Sequence, residues 1–112
     1  MSVKDISTID GMGIDKSTDT LVFLITDPYQ WPIQEYEHLK AFQQKINSYV
    51  AYIENKGYRS QYGSRTFSGF RIEAEFKYPP TEAGESFFRA GKKQLSERNI
   101  DFVWNVINKE DE

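Results

Sequence analysis

The chain holds a single histidine, His38, the side chain whose ordinary titration range lies closest to neutral pH. One imidazole can serve as a general base if a carboxylate orients it and a reacting group stands within reach. Asp27 and Glu35 are its candidate partners if a strand end and a helix start converge there. No Ser, Asp or Glu stands at a catalytic motif spacing from it, so the sequence predicts a solvent-facing histidine on a helix. Trp31 lies between the two acids and can form a pocket wall, because ligands in open α/β sheets gather beyond the carboxyl ends of strands. The plainer reading makes Trp31 a lid over the core and Asp27 a turn cap.

Four aspartates, Asp10, Asp15, Asp19 and Asp27, raise the question of a divalent cation. Their spacing lacks the alternating oxygens and closing glutamate of an EF-hand, and turn or cap roles account for them. With no cysteine and one histidine, the donors for a soft metal are missing. Gly11-x-Gly13 is followed by Lys16 and a strand rather than a third glycine and a helix, so it is not a dinucleotide fingerprint. No metal and no cofactor is expected. Tyr58, Arg59, Tyr62, Arg65, Phe67 and Arg71 interleave rings with cations, a mixture that suits single-stranded nucleic acid or a protein interface. The alternative is a solvated loop whose rings pack back on the core.

Composition decides between some of these. With 14 Lys+Arg against 17 Asp+Glu the formal charge is −3, which argues against nucleic acid and anionic membranes as partners and favours a protein. At 112 residues there is room for one core, and 15% aromatic residues make it affordable despite a mean hydropathy of −0.66. The absence of cysteine fits a reducing compartment. Leu21 to Ile25 is the longest apolar run, far short of a membrane span of about 20 residues. The N-terminus has no apolar signal core, and a cytoplasmic protein is the expectation.

The elements that must position these residues follow from periodicity. Residues 3–15 read as an irregular edge strand with Gly11 and Gly13 allowing a bulge, and 16–19 as a turn. Thr20 to Thr26 is apolar on both alternating faces, which predicts a strand buried on both sides. From about Ile33 to Lys56, Tyr36, Leu39, Phe42, Ile46, Tyr49, Val50 and Ile53 recur at steps of three and four, an amphipathic helix closed by Gly57 in the left-handed region. Residues 58–69 form a polar connection that could hide a short strand at Tyr58–Tyr62, turning at Gly63-Ser64. Phe70, Ile72, Ala74, Phe76 and Tyr78 alternate with Arg71, Glu73, Glu75 and Lys77, a strand with one wet face. Thr81 is placed to cap a second helix over about 82–98, in which Gly84 and Gly91 would permit close approach to the sheet. A final strand from Ile100 to about Ile107 precedes a frayed tail at 108–112. The order β-β-α-β-α-β predicts one α/β (α+β) domain over 1–112, a two-layer sandwich with both helices on one face of a mixed sheet. If 58–62 is a strand, the core is a ferredoxin-like βαββαβ behind an extra N-terminal strand.

Several stretches together resemble a family of short bacterial proteins of unknown function. They are Asp5-Ile-Ser-Thr-Ile-Asp10, Ile14-Asp15-Lys16, Leu21-Val-Phe-Leu-Ile-Thr-Asp27, Trp31, Glu37-His38-Leu39, Gln44-Lys45-Ile46-Asn47, Tyr49, and Phe76-Lys77-Tyr78-Pro79 with the Phe-containing helix behind it. One departure is at Tyr62-Gly63, where the resemblance implies a Tyr-Pro turn. The resemblance covers nearly the whole chain and implies a compact α/β domain without an assigned activity. The expected function is therefore non-enzymatic protein binding, with an immunity-type protein that neutralises a basic toxin domain as the concrete form. Asp10, Asp15, Asp19, Glu35 and Glu37 would supply the acidic contact, with Asp27, Trp31, Tyr58, Arg59, Tyr62 and Arg65 as further contact candidates. The rivals are a small enzyme or ligand-binding domain built on Asp27, Trp31 and His38, and a homo-oligomer joined at a sheet edge.

Overall fold

The computed structural model describes residues 8–31 and 35–107. Strands β1 (Gly11–Asp15) and β2 (Thr20–Asp27) form an antiparallel hairpin, followed by helix α1 (Glu35–Glu54) and a single turn of helix, α2 (Arg59–Tyr62). Strand β3 (Gly69–Phe76), helix α3 (Glu82–Ser96) and strand β4 (Ile100–Val106) complete the order. The sheet runs β1-β2-β3-β4, with β2, β3 and β4 mutually parallel. This is the β-β-α-β-α-β sandwich that the sequence predicts. The ferredoxin-like alternative fails at 58–62, where Tyr62 and Gly63 amides bond to the carbonyls of Tyr58 and Arg59 in helical steps instead of forming a strand.

Strand parity builds the core. Leu21, Phe23 and Ile25 sit beside Phe70, Ile72 and Ala74, which sit in turn beside Ile100, Phe102 and Trp104, so one face of the sheet is a continuous apolar floor. Phe42 and Tyr49 of α1 and Phe88 of α3 pack onto that floor, with ring centroids 5.6 Å apart for Phe42 and Phe76 and 5.9 Å for Phe88 and Phe102. Both helices therefore cover the same side. β2 lies inside the sheet, but only one of its faces is sealed: Val22, Leu24 and Thr26 on the other are part-exposed. Its apolar residues on both faces reflect its central position between two strands rather than a second helical layer.

Four local details differ from expectation. The buried stripe of α1 is His38, Phe42, Lys45, Ile46, Tyr49 and Ile53, while Tyr36 is 73% exposed. Counting only apolar residues gives the stripe the wrong first member, because His and Lys occupy two inward positions. Past α1, the left-handed residue is Lys56 and not Gly57; a side chain at Gly57 would run into the Tyr52 ring 2.5 Å away. In α3, Gly84 lies against the Trp31 ring and Pro80 rather than the sheet, and a side chain at Gly91 would meet open space. Gly11 and Gly13 produce no bulge, since all five β1 residues pair one to one with β2. Thr81 caps α3 as expected, its hydroxyl accepting the Gly84 amide at 3.1 Å. The start of the N-terminal segment (1–7), residues 32–34 and the tail lie outside the described residues.

The phase of α1 can be read in urea. Phe42→Ala is expected to lose about 3–5 kcal/mol, the usual cost of emptying a buried phenyl site. Tyr36→Ala and Gln43→Ala should each stay within about 0.5 kcal/mol of the parent. A Tyr36 variant as damaging as the Phe42 variant would show the phase to be wrong.

Candidate functional site

Strand parity also places Asp27. It continues the inward row Leu21, Phe23, Ile25, so its carboxylate points to the helix side at the carboxyl end of β2. A carboxylate there must be partnered. Oδ1 accepts the Tyr29 amide at 3.1 Å, and Oδ2 accepts from His38 Nε2 at 2.5 Å. An ionised carboxylate only accepts, so Nε2 carries the proton. Trp31 stacks on the imidazole with centroids 3.7 Å apart and planes 14° from parallel, and Tyr29 meets its edge. The sequence candidates Asp27, Trp31 and His38 thus come together, with the turn cap and the core lid both present. Contrary to the expectation of a surface histidine, His38 is 3% exposed. Its Nδ1 and the Trp31 Nε1 are buried without a hydrogen-bond partner among the described residues. Glu35 is half-buried at the start of α1 and, among the described residues, makes no hydrogen bond to this cluster.

A second buried polar cluster was not anticipated. Lys45, fully buried on α1, donates to Asp10 Oδ1 at 3.1 Å and to the Thr8 carbonyl at 2.7 Å. The other oxygen of Asp10 accepts the Thr26 amide and hydroxyl, and the Asp10 amide donates to the Tyr49 hydroxyl. That hydroxyl donates onward to the Leu24 carbonyl at 2.5 Å. Burial pushes the Tyr49 phenol well above the ordinary tyrosine range. The only sequence signal was the helical step: 38, 42, 45 and 49 share one face of α1, which puts a lysine among core residues.

The remaining candidates separate in space. Asp15 and Asp19 flank the hairpin turn, while Glu35 and Glu37 stand beyond the other end of β2, so the five acids are not one patch; Asp10 is sealed by Lys45. Asp19 binds Arg65 at 2.8 Å and the Ser68 hydroxyl, bonds that hold its carboxyl below the usual range. Arg65 lies over Phe67, and Phe67 meets the rings of Tyr58 and Tyr62. The ring-and-cation segment therefore packs on itself: Tyr58 is buried, Tyr62 half-buried, and Arg59 exposed. Among the described residues no three His, Asp or Glu side chains converge to hold a metal. No helix there is long and apolar enough to cross a membrane.

The helix-free face of the sheet gathers charge instead. Arg71 in its centre reaches Asp15 at 3.2 Å, Glu73 at 3.1 Å and Asp101 at 3.8 Å. The Ser17 hydroxyl and amide first, and Arg71 after them, keep the Asp15 carboxyl low. Glu75 has no ion-pair partner among the described residues. Gly11, Gly13, Val22 and Leu24 floor a shallow depression beside these groups.

Two measurements follow from the buried clusters. Lys45→Met or Asp10→Ala alone should cost about 3–5 kcal/mol, because each leaves an uncompensated buried charge or acceptor. The double variant should cost clearly less than the sum; additive losses would show that the two groups are not coupled. Because the Tyr49 phenol is raised in the folded state, the unfolded chain ionises first as alkali is added. Stability is thus complete below the ordinary tyrosine value of about 10 and falls as pH rises past it. Tyr49→Phe should lower stability at neutral pH yet flatten the alkaline decline; an equally steep decline in that variant would assign it to other groups.

Comparison with curated proteins and with solved structures yields no match for this chain. A family model does match, over residues 1–108, and so spans both buried clusters and the charged sheet face. The chain belongs to a family of unknown function, DUF6572.

Proposed function

We propose that this protein is a non-enzymatic binding domain whose helix-free sheet face receives a basic protein partner. The observation that carries this reading is the charge imbalance of that face. Asp15 and Glu73 share the guanidinium of Arg71, Asp101 divides between Arg71 and Lys92, and Glu75 beside them has no ion-pair partner among the described residues. Val22 and Leu24 supply an apolar floor next to the acids, the combination of dry centre and polar rim found in protein interfaces. An acidic rim steers a basic partner during encounter, and a toxin domain neutralised by an immunity-type protein is one partner of that chemistry.

The second reading, a ligand-binding or catalytic role for Asp27, Trp31 and His38, has the unpartnered Nδ1 in its favour. Against it stands the depth of the pair among the described residues: the Asp27 side chain is sealed and the imidazole is 3% exposed.

The test uses the full chain as bait. A captured basic protein should be lost with Glu73→Lys/Glu75→Lys, and retained with Tyr62→Ala/Arg65→Ala. With the partner in hand, Glu73→Gln/Glu75→Gln should slow association and weaken its salt dependence while leaving dissociation nearly unchanged, as rim charges do. Capture indifferent to the Glu73 and Glu75 changes, or lost with Tyr62 and Arg65, would move the contact surface away from the sheet face.

A further inference from the structure

The two edges of the sheet are treated differently. In β4 the Ile107 amide bonds to Phe76, so the odd-numbered residues face β3 and Phe102 turns its carbonyl outward. Lys92 of α3 reaches around this edge, donating to the Phe102 carbonyl at 2.9 Å and to Asp101 at 3.1 Å. A lysine laid over edge carbonyls is one of the ways natural sheets avoid pairing with another chain. At β1 no such device is present among the described residues. Its five residues pair regularly with β2, without a bulge or proline, and Gly11 to Ile14 make no backbone bond on the outer side.

The side chains of β1 make this edge complementary to itself. In an antiparallel pair centred on Gly13, Met12 of one copy lies opposite Ile14 of the other, and Gly11 opposite Asp15. Met12 and Ile14 sit on the core face, pack against the buried cluster and keep part of their surface exposed, so pairing would cover apolar area on both copies. Asp15, the only charge in the strand, would face a glycine rather than its own copy, and lies 3.2 Å from Arg71. At the axis stands Gly13, where a side chain would meet nothing within 4 Å in the single chain. No like charges oppose each other along the strand, and the only large side chains set opposite are the apolar pair Met12 and Ile14.

We propose that β1 pairs with β1 of a second copy of this chain, antiparallel about Gly13, joining two four-stranded sheets into one of eight strands. The pairing also brings the two helix-free faces side by side, without requiring that they bind anything.

The axial position gives a test in which two variants must move in opposite directions. Both changes go into open space in the monomer, so both variants should fold, as circular dichroism would check. Gly13→Thr sets two threonines directly opposite, a favourable cross-strand pair, and should tighten the dimer by about two- to fivefold. Gly13→Lys sets two ammonium groups opposite and should weaken it by at least as much. Sedimentation equilibrium of the full chain from micromolar to about 1 mM would read all three dissociation constants. A monomer at every concentration would overturn the proposal, and so would a dimer whose constant is unchanged or shifts the same way in both variants.

Discussion

The buried contact between Lys45 and Asp10 is the constraint on which the arrangement of layers depends. A lysine with no exposure is costly unless its charge is met, and here one ammonium ties α1 to the segment entering β1. The carboxylate that meets it also accepts the amide of Thr26, extending the β1–β2 ladder by a side chain where the backbone pairing has ended. Tyr49, one turn further along α1, closes the circuit to β2 through Leu24. Three elements distant in sequence thus share one set of hydrogen bonds. Hydrophobic contact alone would let α1 slide or rotate on an apolar floor; polar groups with fixed directions admit one register. The Asp27–His38 bond does the same at the other end of the contact, joining the last residue of β2 to the first turn of α1.

That dependence explains what could be read from the sequence. Alternation in β3 and β4, the three- and four-residue steps of both helices, and the Thr81 cap each report a local preference that the fold obeys, so element order and layering were legible. The polar interior was less so. His38 and Lys45 look like surface residues to any reading that sorts side chains by hydropathy, and Tyr36 looks like core. The corrective information was present in geometry: Asp27 is the fourth residue in an inward row, and 38, 42, 45 and 49 share a helix face. A buried carboxylate demands a partner, and the only imidazole of the chain stands eleven residues on. What no local pattern contains is the meeting of Asp10 with Lys45, which are separated by 35 residues and brought together only when the sheet and α1 are both in place.

The candidate contact residues divide along the same line. Asp27, Trp31 and Tyr58 are consumed by the interior, and Asp19 and Arg65 by tying the hairpin turn to the loop before β3. Trp31 fills the space between His38, Phe76 and Phe88, and Gly84 lacks a side chain where that ring needs room. The ring-and-cation stretch around Tyr58 acquires a structural explanation, as a small aromatic cluster that seals the amino end of β3 against the end of α1.

The helix-free face has no such explanation. Folding needs at most one counter-charge for a part-buried arginine at the sheet surface, and a surface ion pair contributes little to stability in any case. Asp15 and Glu73 both meet Arg71, Asp101 is shared between Arg71 and Lys92, and Glu75 follows two residues after Glu73 on the same face of the strand, where like charges repel. Alternating positions of a strand with one wet face could carry serine, threonine or lysine at no cost to the core beneath. This concentration of acid opposes folding weakly and lies beside the part-exposed Val22 and Leu24, which is the surface that the proposed basic partner would meet.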